Sequence, residues 1–248
     1  MSQQKVAFIT GGNKGIGLET GRQLGQLGQL GIAVVLGSRD PEKGTAAARQ
    51  LKSEGIAAEA VRFDVTNPAD YQAVYDYLDK KYGRLDILVN NAGISRESFM
   101  GGNHTSTTSA EILRETFDTN FFGAVQLTQT LLPLIRKSPA GRIVNLSSIL
   151  GSLTLHATPG SPIYDAKSFA YDASKAALNS FTIHLAHELR DTNIKVNSAH
   201  PGWVKTDMGT DAAPMEITDG AKTSVRLATL PDDGPTGGYF HMNDPLPW

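Results

Sequence analysis

The chain reads VAFIT at residues 6–10 and GGNKGIG at residues 11–17. The first segment is a short apolar run, which predicts a buried strand. The second has the glycine spacing of a loop that opens a helix and receives a pyrophosphate at the helix N-terminus. A Cβ at Gly11, Gly15 or Gly17 would obstruct the turn, the bound anion or the packing of helix on sheet. No Gly-Lys-Ser/Thr sequence closes the loop, so a Walker-type phosphate site is excluded.

Short apolar runs and longer amphipathic segments alternate through most of the remaining chain, which is typical of βαβ units in a parallel sheet. The predicted strands are 6–10, 32–36, 60–63, 87–90, 142–146, 195–199 and 238–241. The predicted helices lie near 15–29, 41–54, 68–82, 110–136, 168–191 and 218–229. We therefore expect an α/β fold with a single Rossmann-type domain over residues 1–248, in which helices cover both faces of a doubly wound, seven-stranded parallel sheet.

The composition fits a globular chain, with 40% hydrophobic and 19% charged residues among 248. Its formal net charge of -2 gives no electrostatic footprint for nucleic acid or an anionic membrane. The absence of cysteine excludes disulfides, iron–sulfur clusters, thiolate metal sites and cysteine nucleophiles. The first residues lack a signal-peptide pattern and no apolar run reaches about 18 residues, so we expect a cytoplasmic protein without a membrane segment.

The end of the second predicted strand indicates which dinucleotide the loop receives. A carboxylate there would bind the ribose 2′-hydroxyl of NAD, whereas a cation accommodates the 2′-phosphate of NADP. The chain reads LGSR at residues 36–39, and Asp40 precedes Pro41 as a helix N-cap. Arg39, with Lys14 in the glycine loop, therefore favours NADPH over NADH. The alternative is that both cations are solvated surface residues.

Further motifs follow in a fixed order: NNAG at 90–93, Asn120, NLSS at 145–148, YDASK at 171–175 and PG at 201–202. With the glycine loop, they give the chain a resemblance over nearly its whole length to the classical short-chain dehydrogenase/reductases. The stretch from the loop through Arg39 is most similar to the NADPH-dependent carbonyl reductases. The resemblance implies reduction of an aldehyde or ketone to an alcohol by hydride transfer.

The resemblance also implies roles for individual residues. The catalytic set would be Asn120, Ser148, Tyr171 and Lys175. The cofactor would be bound by Gly11, Asn13, Lys14, Gly15, Ile16, Gly17, Arg39, Asp64, Val65, Asn91, Ala92, Gly93, Tyr171, Lys175, Pro201, Gly202, Val204 and Thr206. Within these sets, Asp64 and Val65 would contact adenine, residues 201–206 would frame the nicotinamide, and Asn120 would hold a water in a proton relay. Ser148 would hydrogen-bond the substrate carbonyl, and Ser147 is the neighbour with which it could be confused.

The spacing of Tyr171 and Lys175 can be interpreted without the resemblance. Residues four apart share one face of a helix, about 6 Å apart along its axis. An ammonium near a phenol favours the phenolate and is expected to lower the phenol pKa from about 10 toward neutrality, which suits a proton donor. Tyr77 and Lys81 have the same spacing, and we interpret them as a solvated helix end.

One departure from the family pattern concerns the interval between Ser148 and Tyr171. It is 23 positions, about ten more than the resemblance implies, and places an insertion at residues 153–170 near the active site. In carbonyl reductases such an insertion covers the helix face used elsewhere for dimers, so we favour a monomer, with a substrate lid as the alternative. Tyr164, within the insertion, has Ser168 rather than lysine at i+4 and is not expected to be the acid.

Two rival functions stay open: oxidation of an alcohol with NAD(P), and a non-catalytic protein that senses NADPH. Residues 95–107, 204–214 and the insertion would line the substrate cleft, and they specify neither the substrate nor its stereochemistry. His184, His187 and Glu188 resemble part of a helical metal site but lack a third ligand in the pattern, so we expect no metal. The absence of a GxSxG motif argues against a serine hydrolase.

Overall fold

A computed structural model describes residues 4–27, 31–97 and 102–248. Its strands are β1 Lys5–Thr10, β2 Ile32–Ser38, β3 Ala58–Arg62, β4 Ile87–Asn90, β5 Arg142–Leu146, β6 Lys195–His200, β7 Tyr239–His241 and β8 Asp244–Pro245. They form one sheet in the order β3-β2-β1-β4-β5-β6-β7-β8. Strands β1 to β7 are parallel, which confirms the predicted sheet, whereas β8 pairs antiparallel with β7.

The eighth strand is a correction to the predicted count of seven. It contains only Asp244 and Pro245, neither of which favours strands. The pairing is produced by a tight turn at Met242, whose φ is 51°. A strand this short has no periodic pattern that the sequence could reveal.

The helices are α1 Gly15–Gly25, α2 Pro41–Ser53, α3 Pro68–Tyr82, α4 Ala110–Phe117, α5 Gly123–Ile135, α6 Leu153–Ala157, α7 Phe169–Glu188, α8 Ile217–Gly220 and α9 Lys222–Ala228. Local signals explain several ends. Asp40 caps α2 by accepting hydrogen bonds from the N–H groups of Glu42 and Lys43 at 3.0 and 3.2 Å, and Gly83 ends α3 with φ 68°. The interpretation of Asp40 as an N-cap is confirmed.

Two predicted helices differ from the structure. The helix predicted near 110–136 is divided by a π-helical turn, Asp118–Phe122, between α4 and α5. The helix predicted near 218–229 is divided into α8 and α9. The predicted first helix ends at Gly25, and the positions 28–29 assigned to it lie outside the described residues.

Two apolar cores hold the helices on opposite faces of the sheet. Along β1, Val6 and Phe8 belong to one core and Ala7 and Ile9 to the other, because successive strand residues point to opposite faces. The first core includes Leu78, Leu131 and Leu185 of α3, α5 and α7, and the second includes Leu24, Leu51 and Leu227 of α1, α2 and α9. Burying each such leucine contributes roughly 1.5–3 kcal/mol. The predicted arrangement of helices on both faces is therefore confirmed.

Four neighbouring parallel strands end at the same edge of the sheet. Strands β1, β4, β5 and β6 end at Thr10, Asn90, Leu146 and His200. The strand order reverses between β1 and β4, and ligands of open α/β sheets bind outside the strand ends at such a reversal. The segments that follow these four strands therefore build the candidate site. Within the described ranges, no helix combines the length and the apolar character needed to cross a membrane.

Candidate active site

The glycine loop joins β1 to α1 by a turn that only glycine adopts readily. Gly11 and Gly15 have φ of 62° and 55°, in the left-handed region. A Cβ on Gly17 would lie 2.6 Å from the carbonyl oxygen of Gly11, so the helix packs directly on the loop. The first N–H groups of α1 have no acceptor within the helix. The loop therefore offers the backbone geometry of an anion site at a helix N-terminus.

Asn91 and Thr10 fix this loop against the next strand. The side-chain amide of Asn91 donates to the carbonyl oxygens of Thr10 and Gly11 at 2.8 and 3.2 Å. The Thr10 hydroxyl accepts from the N–H groups of Asn91 and Ala92 at 3.0 and 2.9 Å. The amide group of Asn91 thus holds the glycine loop in place, and the expected contact of Asn91 with the cofactor stays a prediction.

The segment after β6 faces the glycine loop. Thr206 Cγ2 lies 3.7 Å from the position that a Cβ on Gly15 would take, and Lys14 forms an exposed ion pair with Asp207. Hydrogen bonding to Lys14 lowers the pKa of Asp207. Asp207 lies within the predicted lining 204–214, but nothing in its spacing indicates that it would meet Lys14.

The other predicted contacts lie along the same edge of the sheet. Asn13 and Ile16 are half-buried, Pro201 and Val204 are buried, and Gly202 has φ of 93°. Val204 pairs with Met215, so that the segment between them forms a closed loop. Most of the predicted substrate-lining segment 204–214 therefore belongs to one loop beside the cleft. Of the predicted lining at 95–107, positions 98–101 lie outside the described residues.

The residue that follows β2, Arg39, carries a positive charge at the surface. Arg39 is exposed and forms no ion pair with any residue in the described ranges. Its charge lies close enough to Asp64 to act on that carboxyl. Burial raises the pKa of Asp64, but hydrogen bonds from Thr66 and the charges of Arg39 and Arg62 outweigh it, so the pKa is lowered. Val65, the next residue, is buried.

Ser148, Tyr171 and Lys175 come together where β5 meets α7. The Ser148 hydroxyl lies close enough to the Tyr171 phenol to act on its pKa. Lys175 Nζ lies 5.6 Å from the centre of the Tyr171 ring and donates to the carbonyl oxygen of Leu146 at 2.7 Å. The tyrosine is 7% and the lysine 3% exposed. Two hydroxyls and an ammonium thus share one buried space at the strand ends.

Burial dominates the ionisation of both groups. It raises the pKa of Tyr171 to about 12, against the effect of the nearby Ser148 hydroxyl, which lowers the pKa. It lowers the pKa of Lys175 to about 8. The expectation that Lys175 moves the phenol pKa toward neutrality is wrong for this structure, because removal from water destabilises the phenolate more than the distant ammonium stabilises it. Tyr171 is therefore a protonated phenol at neutral pH.

Asn120 lies in the π-helical turn and is 1% exposed. Its side chain accepts from the N–H of Ile94 at 2.8 Å, and donates to the carbonyl oxygen of Ile94 at 2.9 Å and to the Ser174 hydroxyl at 3.0 Å. A Cβ on Gly93 would lie 3.4 Å from both Asn120 Oδ1 and Lys175 Nζ. All four residues predicted as catalytic therefore lie around the first turns of α7.

Two carboxyl groups that the sequence analysis missed adjoin Tyr171. Glu97 Oε2 accepts from the N–H of Tyr171 at 3.0 Å, and Asp172 Oδ2 accepts from the N–H of Ser168 at 2.9 Å. Burial raises the pKa of Asp172 to about 7, and the charge of Glu97 adds to this rise. An acidic residue directly after the tyrosine was the available sequence signal, whereas Glu97 comes from a distant loop.

The inserted segment covers a small cavity beside α7. Of its apolar residues, Ile163 is buried, whereas Leu153 and Phe169 are exposed. Asn103 donates to the carbonyl oxygen of Lys167 at 3.1 Å, which joins the insertion to the loop before α4. The cavity has a volume of about 220 Å³ and is lined by Gly102, Asn103, Leu150, Asp165, Ala166, Lys167 and Ser168.

The other tyrosines considered as the acid, and the two histidines on α7, lie outside the group formed by Ser148, Tyr171 and Lys175. Tyr164 is exposed, and the Tyr77 hydroxyl and Lys81 both bind Glu59 of β3. His184, His187 and Glu188 are exposed on α7. No group of three or more His, Cys, Asp or Glu residues suited to a metal ion is found in the part of the chain that the structure describes.

Known proteins are similar to this chain in sequence and in fold. The profile of the family described as short chain dehydrogenase matches residues 5–217. Carbonyl reductase [NADPH] 1 of Mus musculus is 34% identical over 289 positions, covering 100% of this chain and 99% of that protein. (+)-Neomenthol dehydrogenase of Capsicum annuum is 33% identical over 307 positions, covering 97% and 96%. The structure of NADPH-bound carbonyl reductase from chicken fatty liver superposes with a TM-score of 0.85 at 27% identity, covering 100% of both chains.

Proposed function

The chain belongs to the short-chain dehydrogenase family, and we propose that it reduces an aldehyde or ketone to an alcohol with NADPH. The observation that carries the proposal is the grouping of three side chains: Lys175 Nζ lies 5.6 Å from the centre of the Tyr171 ring, and the Ser148 hydroxyl is close enough to lower the pKa of the phenol. Relatives named as NADPH-dependent carbonyl reductases support it.

The residues present fit the dinucleotide. Gly15 leaves the loop backbone open where a side chain would stand, since only Thr206 Cγ2 lies near that position, at 3.7 Å, and Gly93 leaves space between Asn120 and Lys175. The glycine loop would hold the pyrophosphate, Arg39 the 2′-phosphate, and Asp64 and Val65 the adenine. When bound, NADPH supplies the hydride for the carbonyl carbon.

The chain itself supplies the proton and the orientation of the substrate. Ser148 donates a hydrogen bond to the substrate carbonyl oxygen and so stabilises the negative charge that develops there. Tyr171 Oη then gives its proton to that oxygen, since the buried phenol is protonated at neutral pH. The ammonium of Lys175 stabilises the phenolate that forms. Asn120 holds α4, α5 and α7 around the lysine through Ile94 and Ser174.

The single chain forms one dinucleotide-binding and catalytic domain over residues 1–248, with the insertion beside the cleft. The insertion adds chain at the start of α7, which favours a monomer over a dimer built on that helix. A mass near 26.5 kDa by light scattering behind a sizing column would support the monomer. A mass of twice that value that persists on dilution would leave a substrate lid as the role of the insertion. A cytoplasmic location stays a prediction from the sequence.

The direct test is NADPH consumption with a panel of aldehydes, ketones and quinones. We expect at least one carbonyl compound to be reduced by the parent protein, and the rate to be lost in Ser148→Ala and Tyr171→Phe. Consumption by all three proteins alike would contradict the proposed function.

Alcohol oxidation is the second candidate, and a relative named (+)-neomenthol dehydrogenase favours it. Oxidation needs a phenolate to take the alcohol proton, and the raised pKa of Tyr171 opposes this at neutral pH. Faster oxidation of alcohols with NAD than reduction of carbonyls with NADPH, measured at pH 7, would reverse the assignment. A sensing protein that catalyses nothing would need neither Ser148 nor Tyr171.

A further inference from the structure

One peptide unit next to the reacting groups is held at both of its polar atoms. The carbonyl oxygen of Ser148 accepts a hydrogen bond from the Tyr239 hydroxyl. The N–H of the following residue, Ile149, donates to Nδ1 of His200 at 3.1 Å. Tyr239 begins β7 and His200 ends β6. The peptide between Ser148 and Ile149 is thus hydrogen-bonded by two side chains, Tyr239 and His200, from positions 91 and 51 residues away along the chain.

His200 is suited to accept this bond over the whole working pH range. It is buried, and burial, with the neighbouring His241, lowers its pKa to about 3. A neutral imidazole that accepts at Nδ1 carries its proton on Nε2. The same nitrogen lies 3.4 Å from the N–H of Gly202. His200 therefore joins the Ser148 turn to the segment that faces the glycine loop.

The Tyr239 hydroxyl is likewise suited to donate its hydrogen bond to the carbonyl oxygen of Ser148. It is 2% exposed and its ring is stacked on Trp248, with ring centres 5.4 Å apart. Burial raises its pKa, so the hydroxyl keeps its proton. The carbonyl oxygen of Trp248 accepts from the N–H of Thr154 at 2.8 Å. The segment that carries Tyr239 is thus anchored to the start of α6, just beyond the Ser148 turn.

The Ser148 hydroxyl is linked to this peptide plane through the turn that follows it. Ser148 has an extended backbone, with φ of -152° and ψ of 151°, and its ψ fixes the orientation of the plane. The Ser148 Oγ accepts from the N–H of Leu150 at 3.3 Å, so its position also depends on the turn that the plane begins. The hydroxyl hydrogen takes no part in that bond, so the same hydroxyl can donate to a carbonyl oxygen.

We propose that His200 and Tyr239 are positioning residues that clamp the Ser148–Ile149 peptide and thereby aim the Ser148 hydroxyl at the substrate carbonyl. This rests on the proposed function, in which Ser148 binds that carbonyl. Neither positioning residue needs to touch the substrate. Loss of either bond frees ψ of Ser148, so the hydroxyl spends less time in the productive orientation, and the chemical step slows while NADPH binding is kept.

Four variants separate the clamp from general packing. Tyr239→Phe keeps the ring and removes the donor, and His200→Leu removes the acceptor. His200→Asn keeps an acceptor near the position of Nδ1. Tyr77→Phe is the matched control, because its hydroxyl binds Glu59 outside the site. We expect kcat to fall about three- to tenfold in the first two, with KM for NADPH within about twofold. His200→Asn and the control should stay near the parent.

Combining each variant with Ser148→Ala gives the decisive comparison. If the clamp acts through the serine hydroxyl, Tyr239→Phe and His200→Leu should have almost no further effect once that hydroxyl is absent. An equal loss in both backgrounds would overturn the proposal and leave a packing role. A parent-like kcat in both single variants, while Ser148→Ala loses activity, would also overturn it. Full activity in Ser148→Ala would instead reject the role of Ser148 in the proposed function.

Hydrogen exchange gives a readout that does not depend on activity. The amide of Ile149 should exchange faster in His200→Leu and Tyr239→Phe than in the parent, His200→Asn and Tyr77→Phe. If His200→Leu fails to fold, Tyr239→Phe carries the test. Unchanged exchange at Ile149 in Tyr239→Phe and in any folded His200→Leu would show that the peptide is held without these side chains and would overturn the proposal.

Discussion

Lys175 is tied by a 2.7 Å hydrogen bond from Nζ to the carbonyl oxygen of Leu146, the last residue of β5. This bond joins the second turn of α7 to the strand that leads into Ser148. The ammonium has this backbone acceptor but no carboxylate partner among the residues that the structure describes, and burial lowers its pKa to about 8. The charge of this lysine thus changes within the range in which such an enzyme is assayed.

We expect kcat/KM for NADPH to decrease as the pH rises through about 8. The sign follows because lysine is charged below its pKa and neutral above it, and the neutral amine stabilises neither a phenolate nor a bound anion. Steady-state rates across that range would measure the free enzyme's ionisation. Lys175→Arg keeps its charge, so kcat/KM of this variant should not decrease around pH 8. The same decrease in both proteins would show that another group causes it.

Tyr171→Phe should reduce carbonyl reduction by about 10² to 10⁴-fold, because only the proton donor is removed. NADPH affinity, measured by fluorescence titration, should stay near that of the parent because the ring remains. Tyr164→Phe serves as the control, since Tyr164 is exposed and lies outside the catalytic group. Activity of Tyr171→Phe within about threefold of the parent would contradict its role as the acid.

Arg39→Asp should shift cofactor preference from NADPH toward NADH. The aspartate repels the 2′-phosphate and can accept from a ribose hydroxyl, and charged hydrogen bonds of about 1.5–3 kcal/mol correspond to about a tenfold to hundredfold change. The ratio of kcat/KM for the two cofactors is the measurement. Arg49→Asp makes the same charge change at an exposed position of α2. Equal ratios in the two variants would mean that Arg39 is only a solvated side chain.

Asp172→Asn should change how stability depends on pH. Burial raises the pKa of this carboxyl from 3.8 to about 7, so the folded protein holds the proton more tightly than the unfolded chain. Its contribution is fully present below the unfolded pKa and is lost as the pH rises through the folded pKa. Relative to the parent, the Tm of Asp172→Asn should therefore increase between about pH 4 and pH 7.

The exposed Asp165→Asn is the control for this effect, because its carboxyl lies in water within the same segment. Calorimetry of the three proteins across that range would decide. Parallel Tm curves for the parent and Asp172→Asn would show that Asp172 ionises at its ordinary pKa.

Local sequence was sufficient where structure is set by neighbouring residues. The glycine loop, the cap at Asp40 and the parallel strands follow from spacing and side-chain type, and all are present. The catalytic candidates were found through their order along the chain. The π-helical turn at Asn120 was not predicted. It lies where Gly123 closely approaches the carbonyl oxygen of Val65, which a Cβ on Gly123 would overlap, and local sequence does not reveal such a contact.

Contacts between segments that are distant in the sequence account for the features of the site that the sequence did not predict. Glu97 meets the Tyr171 N–H across 74 residues, and Lys14 meets Asp207 across 193. Neither pairing leaves a periodic or local signal. The pKa of Tyr171 also depends on how deeply the fold buries the phenol. The spacing of Tyr171 and Lys175 alone predicts a lowered pKa, whereas burial raises it.

The two-residue strand β8 protects the sheet from adding further strands. A long, exposed strand at the side of a sheet is a template on which another chain can assemble and aggregate. Here the side next to β7 is occupied by Asp244 and Pro245, and the N–H of Leu246 is already used by the carbonyl oxygen of Tyr239 at 2.8 Å. Pro245 has no N–H to donate, and Asp244 brings a charge. This edge of the sheet therefore offers few free backbone groups with which a strand of another chain could pair.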